Sequence, residues 1–153
     1  MRRTRFEDWN CSIARATDIL GDWWTPLVLR EAFYGTRRFD DFVANLGIGR
    51  NILTERLKRL TDEGILTKVA YQERPARYEY RLTDKGRDLF GVLAMLHRWG
   101  NDWLVDDDGP PVEMVDRETG DVVQPVVVDE LTGRRLDARA VRVRRGPGYR
   151  DDR

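Results

Sequence analysis

The sequence predicts a mainly α-helical fold with a small β component, which places it in the α+β class. Apolar side chains recur at helical spacing through much of the first 104 residues. Two runs between residues 65 and 82 alternate apolar and aromatic residues, as paired strands do, and short valine-rich runs follow residue 105. We therefore expect one domain over residues 1–105, and an acidic linker, a small β appendage and a basic tail over residues 106–153.

Composition excludes several classes of function. At 153 residues and 41% hydrophobic content, the chain is long enough to bury a core. It has no stretch of about 18 consecutive apolar residues and no apolar run behind its first arginines, so we expect a cytoplasmic protein that does not enter a membrane. One cysteine and one histidine supply neither a disulfide framework nor a zinc site, and no nucleophile–base pair or phosphate loop can be assembled. We expect neither an enzyme nor a cofactor.

The net charge of zero hides three zones of different sign. Residues 1–100 hold 18 Lys and Arg against 14 Asp and Glu, and residues 101–130 hold only Arg117 against 10 acids. Residues 131–153 hold eight arginines against three acids. Such asymmetry is typical of proteins that meet a polyanion, although a solvated charged face gives the same pattern.

The first two helices can be bounded by their stop signals. Residues 12–20 form a short amphipathic helix that Gly21 ends, and Asp22 can cap the helix that follows. Pro26 falls in the first turn of that second helix, where a missing N–H group costs little. We expect its apolar residues to be buried: Trp23, Trp24, Leu27, Val28 and Phe33.

A second pair of short helices is joined by a glycine-containing turn, which is the helix-turn-helix signature. Residues 39–46 carry apolar side chains at helical spacing, and Gly47-Ile48-Gly49 separates them from RNILTERLKRLTDEGIL, which begins at Arg50. In this last helix the leucines lie on one side and are expected to be buried: Leu53, Leu57 and Leu60.

The opposite side of the same helix is polar and is free to enter the major groove of DNA. It carries Asn51, Thr54, Glu55, Lys58 and Arg59, with Arg50 and Asn51 leading at the N-terminal end. An ordinary amphipathic surface helix has the same pattern. The segment that follows favours the DNA-binding alternative.

Residues 65–71 and 78–82 predict a β-hairpin directly after this helix, with the turn at QERPAR. Arg74 and Arg77 then lie at its tip. A basic hairpin in this position acts as a wing that reaches phosphates or a flanking minor groove. The alternative is a basic turn without a partner.

The last helix predicts a dimer. From a capping Thr83 the segment to Leu104 is apolar on more than one face, and a small winged domain has little core left to cover it. A second copy of the chain is the expected cover, and packing within one chain is the alternative. The predicted interface residues are Ile13, Leu93, Leu96, Trp99 and Trp103. A twofold dimer would bind an inverted-repeat operator in double-stranded DNA.

These motifs resemble the HxlR-type winged helix-turn-helix transcriptional regulators, which are related to the MarR group. The matching segments are CSIARATDILGDWW, RRFDDF, ILTERLKRLTDEGIL, the Arg-Pro and Tyr-Glu-Tyr of the hairpin, and LTDKG. The resemblance covers Cys11 to about Trp103 and implies a homodimeric DNA-binding regulator. We predict DNA contacts at Arg38, Arg50, Asn51, Thr54, Lys58, Arg74 and Arg77. Gly49, where the family usually has a serine, and Asn51, where it often has a lysine, depart from the pattern.

Two further expectations follow from the resemblance. Some members use a cysteine matching Cys11 as a redox switch, whereas a small structural residue at the dimer interface is the alternative; a small-molecule effector is the other candidate for control. Some relatives extend into a zinc ribbon, whose ligand positions are Thr119, Asp129 and Thr132 here. These are not soft ligands, so we expect a metal-free ribbon, with a disordered tail as the alternative.

One other function class remains open. A winged-helix module that binds protein rather than DNA is compatible with a net charge of zero. Loss of DNA binding on neutralising Arg74 and Arg77 would exclude it.

Overall fold

The computed structural model describes residues 5–151. They form two compact units, residues 5–90 with 149–151, and residues 91–148. The first unit contains the helices α1 to α5 and a two-stranded hairpin, and most of α6 lies in the second. The elements are α1 (Ser12–Leu20), α2 (Thr25–Phe33), α3 (Phe39–Leu46), α4 (Arg50–Asp62), β1 (Leu66–Glu73), β2 (Ala76–Leu82), α5 (Asp84–Arg87) and α6 (Phe90–Trp103). The α+β class is confirmed.

The start of α2 corrects one expectation. The Asp22 carboxylate accepts the backbone N–H groups of Trp24 and Thr25, each at 2.9 Å, so it satisfies donors that the first turn leaves free. The helix therefore begins at Thr25, and Trp23 precedes it in the bend. Trp23 is 92% exposed, so its predicted burial is wrong, because helical periodicity does not apply to a residue outside the helix. Leu27 lies within α2 but is 36% exposed, so its predicted burial is wrong as well.

The core of the first unit is built where α2, α3, α4 and β1 meet. Its apolar side chains are each at most 2% exposed: Val28, Leu29, Phe42, Ile48, Leu53, Leu57, Leu60, Ile65 and Leu66. The three leucines of α4 are among them, as their spacing predicted. A buried carboxylate joins α2 to the chain that follows, because Glu31 accepts hydrogen bonds from Thr36 and Asn45, each at 2.9 Å.

The turn between α3 and α4 contains two glycines with different roles. Gly47 ends α3 in the left-handed region, at φ 62°, and donates its N–H to Val43 at 2.9 Å. Gly49 is the N-cap of α4 and has extended geometry, at φ −62° and ψ 135°, without a side-chain cap. Ile48 between them is buried, which fixes the turn against the core.

The hairpin after α4 is antiparallel and pairs Leu66 with Leu82 at its base and Glu73 with Ala76 at its tip. The segment before α3 forms an isolated bridge to it. Arg38 forms a β-bridge with Glu79, and Tyr80 donates its N–H to the carbonyl of Arg37 at 2.8 Å. This contact ties the hairpin to the helical part of the unit.

The apolar helix expected from Thr83 onward is divided in two. Thr83 is the N-cap, as predicted, and its hydroxyl accepts the N–H of Gly86 at 3.1 Å. A Cβ at Gly86 would lie 2.2 Å from the carbonyl oxygen of Ile65, so only glycine fits this close approach. These contacts fix α5 to the hairpin. The helix that carries the apolar pattern starts again at Phe90.

The second unit contains two similar turns. Bridges Val115–Val122 and Val128–Arg135 each close a segment with the pattern Asp-x-x-Thr-Gly, at residues 116–120 and 129–133. Asp116 accepts the N–H groups of Glu118 and Thr119 at 2.8 and 2.9 Å, and the Thr132 hydroxyl donates to Asp129 at 2.5 Å. Hydrogen bonds therefore hold both turns.

The ends of the run Val122 to Val128 pair with their neighbours, as the sequence indicated. Of the valine-containing runs after residue 105, for which the sequence predicts β structure, residues 140–144 form no strand or bridge in the part of the chain that the structure describes. Arg98 of α6 donates to the carbonyl of Pro125 at 2.6 Å, which joins the helix to the turns within this unit.

Within residues 5–151, the helices are too short or too polar to traverse a lipid bilayer.

The two glycines before α4 predict opposite effects of one substitution. Gly47→Ser places a side chain in the left-handed region and should lower the free energy of unfolding by about 1 kcal/mol. Gly49→Ser supplies a hydroxyl cap at an extended position and should raise it by a few tenths of a kcal/mol. Urea denaturation of both variants checks this. Equal destabilisation by the two would show that the cap geometry is not as described.

Candidate nucleic-acid interface

The central element of the site is α4, which is buried along one side and exposed along the other. Leu53, Leu57 and Leu60 are at most 1% exposed. The exposed side carries Arg50, Asn51, Ile52, Thr54, Glu55 and Lys58. Because the leucines bury the opposite side, the helix presents a polar surface that includes the exposed Arg50 and Asn51 of its N-terminal turn.

Two acid–arginine contacts hold the flank of α4. Arg56 donates to Asp22 at 3.0 Å, and Arg59 donates to Asp18 at 2.7 Å. Asp18 is buried and also accepts from Arg5 at 3.0 Å. The expectation that Arg59 faces the groove is therefore wrong, because its charge is bound to a buried carboxylate on α1.

The environment of both carboxylates favours their charged form. Burial alone would raise the pKa of Asp18, but hydrogen bonds from Phe6 and Arg59 and the charges of Arg5 and Arg59 outweigh it and lower that pKa. Burial likewise opposes ionisation of Asp22, whereas hydrogen bonds from Thr25 and Trp24 and the charge of Arg56 lower its pKa. Both carboxylates are thus stabilised as anions and pair with Arg56 and Arg59 of α4.

Several predicted DNA contacts already have partners within the chain. Arg50 donates to Asp40 at 2.8 Å, and Lys58 donates to Asp62 at 2.5 Å. The Thr54 hydroxyl donates to the carbonyl of Arg50 at 2.9 Å. These ion pairs are exposed and contribute about 0–1 kcal/mol each, so a phosphate can replace the carboxylate at little cost.

The remaining predicted DNA-binding cations, Arg38, Arg74 and Arg77, lie on or beside the hairpin. Arg38 lies 4.6 Å from the ring centroid of Tyr71, and its Nε is 3.8 Å from Glu79. Arg74 and Arg77 are exposed at the hairpin tip, and within residues 5–151 neither side chain forms an ion pair. The tip therefore carries two unpaired cations, whereas Arg38 is held beside Tyr71 and Glu79, midway along the hairpin.

The residues predicted for the dimer interface lie on α1 and α6, and each helix is described by itself. On α1, Ile13 is 78% exposed. On α6, Leu96, Trp99 and Trp103 are exposed and Leu93 is half-buried. Large apolar side chains on both helices are thus accessible in the single chain.

Cys11 is the exposed N-cap residue of α1. The neighbouring Arg15 donates its Nε to the carbonyl of Trp9 at 2.7 Å. A shallow, open cavity of about 350 Å³ lies at the other end of α1, lined by Gly21, Asp22, Trp23, Trp24 and Arg56. Within residues 5–151, His, Cys, Asp and Glu side chains form no group suited to a metal ion.

Comparison with known proteins finds relatives and solved structures of the same helix-turn-helix type. The profile of the HxlR-like helix-turn-helix family matches residues 19–108. Rv3095 of Mycobacterium tuberculosis, an uncharacterized HTH-type transcriptional regulator, is 40% identical over 139 residues, or 91% of this chain and 88% of the relative. The crystal structure of PA1607, a candidate transcription factor, has a TM-score of 0.84 at 38% identity and covers 94% of this chain and 100% of its own. The redox regulator HypR in its reduced form has a TM-score of 0.57 at 27% identity, over 60% of this chain and 92% of its own.

The helix pair, the exposed polar helix and the hairpin define a winged helix-turn-helix protein. The chain belongs to the HxlR-like helix-turn-helix family, as its motifs predicted. It is a transcriptional regulator of the helix-turn-helix type.

Sequence reasoning missed three residues of this site. Ile52 is 40% exposed on the first turn of α4, and its apolar character had suggested no role in a polar surface. Asp18 had no signal beyond its charge, and Asp22 was expected only as a helix cap, yet each of these acids accepts a hydrogen bond from an arginine of α4. Only the packing of α1 against α4 reveals these pairs.

The anchoring of α4 predicts a stability that depends on Asp18. Asp18→Asn should lower the free energy of unfolding at pH 7 by about 1–3 kcal/mol, because Arg59 and Arg5 lose a charged acceptor. The folded pKa of Asp18 is lowered, so its contribution is present above the unfolded value of about 3.9 and is lost as pH falls through the folded value. The difference between wild type and variant should shrink below about pH 4.

Urea denaturation between pH 7 and pH 3.5 measures this difference. Asp62→Asn is the matched control, because Asp62 pairs with Lys58 on the exposed side of α4 and should change stability by less than about 0.5 kcal/mol. Equal losses in the two variants at pH 7 would contradict the anchoring role of Asp18.

Proposed function

We propose that the protein is a homodimeric, sequence-specific DNA-binding regulator that acts on an inverted-repeat operator in the cytoplasm. The observation that carries the proposal is the exposed polar side of α4, which carries Arg50, Asn51, Thr54 and Lys58 opposite the three buried leucines. A helix held in this way can enter a major groove about 12 Å wide without unfolding any of the core. The basic hairpin tip then contacts phosphates or the adjacent minor groove.

Each side chain of α4 has a role that its chemistry supports. Asn51 stands at the N-terminal turn, where its amide can pair with the N6 and N7 edge of an adenine. Ile52 beside it offers an apolar contact for a thymine methyl group. Arg50 and Lys58 are exposed cations that can exchange their carboxylate partners for phosphates or, for Arg50, for a guanine. Base contacts therefore concentrate at the first turn.

Two substitutions on this helix are predicted to differ in kind. Asn51→Ala should relax base preference at one operator position by about 1–3 kcal/mol, because a base contact is lost. Lys58→Ala should weaken binding to all sequences similarly and reduce the salt dependence by about one phosphate. Fluorescence anisotropy on DNA selected by the wild-type protein, compared with random duplex, measures both effects.

Small and identical effects of the two substitutions on every duplex would show that α4 does not read the DNA sequence.

A double substitution at the hairpin tip, Arg74→Gln with Arg77→Gln, tests the alternative function, a winged-helix module that binds protein. Loss of DNA affinity in that variant supports a wing on DNA. A wild-type protein that binds no duplex would favour the protein-binding alternative.

The proposed dimer rests on the exposed apolar side chains of α1 and α6. Ile13, Trp99 and Trp103 are each more than half exposed, and large apolar groups of this kind are usually covered by a partner. A second copy is the simplest partner, since a twofold axis repeats the same surface and produces two recognition helices. The two helices then read half-sites about one helical turn apart.

Leu96→Glu tests the dimer. A charge placed in the apolar interface should produce monomers, and DNA affinity should fall because one half-site is lost. Sedimentation velocity and anisotropy measure the two effects together. The control is Val123→Glu, an exposed apolar residue outside α1 and α6. A Leu96→Glu protein that remains dimeric refutes the assignment of α6.

We propose Cys11 as the site of control by oxidation. It is exposed at the start of α1, and HypR is named a redox regulator. A two-electron oxidant such as a peroxide would convert the Cys11 thiol to a sulfenic acid, which condenses with a second thiol to a disulfide and water. Because the chain has one cysteine, that second thiol must come from another copy of the chain or from a small-molecule thiol. A small-molecule effector at the shallow cavity beside Trp23 is the other mode of control that the surface accommodates.

A further inference from the structure

The second unit carries a dense set of arginines without an assigned partner. We call residues 134–144 the arginine segment; it contains Arg134, Arg135, Arg139, Arg142 and Arg144, all exposed. Within residues 5–151, none of these five side chains forms an ion pair or a hydrogen bond. The one acid of the segment, Asp137, accepts the backbone N–H groups of Arg139 and Ala140 at 2.7 and 3.0 Å.

Most cations of the first unit differ from this set. Nine of them form ion pairs within the unit that offset part of their charge: Arg5, Arg30, Arg38, Arg50, Arg56, Lys58, Arg59, Arg81 and Arg87. A paired cation must give up a carboxylate before it meets a phosphate, whereas an unpaired one loses only water and counterions. The arginine segment is therefore the part of the second unit best suited to a polyanion.

We propose that the arginine segment is a second DNA-binding surface, which contacts phosphates of the duplex that α4 reads. The proposal rests on the proposed function, since it assumes that the chain binds DNA. Once α4 is bound, the second contact is intramolecular, so weak individual contacts add to affinity. Phosphate contacts carry no base information, so the segment adds affinity and salt dependence without changing the preferred sequence.

The chemistry favours a phosphate backbone over an acidic protein surface. The segment has five guanidinium groups within 11 residues. Each guanidinium holds its N–H donors in one plane, in a geometry that matches the oxygens of a DNA phosphate. The competing ligand is the acidic stretch of a second copy of this chain, because residues 101–130 are rich in carboxylates. Measuring the oligomeric state of the variants distinguishes DNA from a second copy.

The experiment uses the full chain with four arginines changed together: Arg135→Gln, Arg139→Gln, Arg142→Gln and Arg144→Gln. A second variant carries lysine at the same four positions and retains the charge. Binding to a 40-base-pair duplex of random sequence and to DNA selected by the wild type is measured by anisotropy between 50 and 200 mM salt. Sedimentation velocity is run on both variants.

In the glutamine variant, the slope of the logarithm of the binding constant against the logarithm of salt concentration should become shallower by about 2–4. Its affinity at 0.15 M salt should fall by roughly ten-fold or more. Its base preference should equal that of the wild type. The lysine variant should keep most of the slope, since the effect depends on charge. For single changes, Arg142→Gln should reduce the slope by about one, whereas Arg117→Gln, exposed in the same unit outside the segment, should leave it unchanged.

Several results would overturn the inference. An unchanged slope in the glutamine variant, with normal wild-type binding, removes the segment as a DNA surface and leaves the proposed function intact. A glutamine variant that becomes monomeric shows that the segment binds a second chain. A lysine variant as weak as the glutamine variant excludes a charge effect. Failure of the wild type to bind any duplex removes the proposed function and this inference together.

Discussion

The burial of three leucines on α4 is the constraint on which the rest of the site depends. Leu53, Leu57 and Leu60 lose almost all contact with water in the core of the first unit. Burying such side chains contributes about 1.5–3 kcal/mol each, far more than any exposed ion pair on the same helix. The direction in which the polar side of α4 faces is therefore set by apolar packing. The charged residues on that side remain available for a ligand.

A second constraint fixes the flank of the helix. Leucines alone allow a helix to rotate slightly about its axis, whereas Arg56 and Arg59 must each reach one carboxylate, on Asp22 and Asp18. A buried carboxylate without its arginine would be costly, so these contacts specify one position of α4. They also connect α4 to α1, the helix that carries Cys11. A change at the N-terminal part of the chain thus has a physical path to α4, the helix that we propose contacts DNA.

The sequence predicted those features that depend on local periodicity and on glycine. The boundaries of α1 and α3, the leucine side of α4, the glycine turn and the hairpin follow from spacing and from turn residues within short segments. Trp23 and Arg59 were placed wrongly because their environment depends on packing between helices: one residue precedes a helix whose start Asp22 sets, and the other finds a buried acid on α1. The position of α5 likewise depends on packing, because Gly86 lies close to the carbonyl of Ile65, a residue far from it in sequence.

The second unit illustrates the same limit. Its valine-rich runs predicted β structure, but their alternation cannot distinguish a strand from a pair of short bridges around hydrogen-bonded turns. The Asp-x-x-Thr-Gly pattern at 116–120 and 129–133 explains these turns, because a carboxylate satisfies the N–H or hydroxyl groups that each turn leaves free. Those hydrogen bonds stand at the positions where the resemblance implied cysteine ligands in relatives that bind zinc.

Sequencing of the genomic DNA that the purified full-length protein retains is the most direct test of the central claim that α4, presented twice by a dimer, reads DNA. We expect enrichment of one inverted repeat whose half-sites lie about 10–10.5 base pairs apart, centre to centre. Retained DNA without any common sequence, or with a motif that has no twofold symmetry, would contradict it.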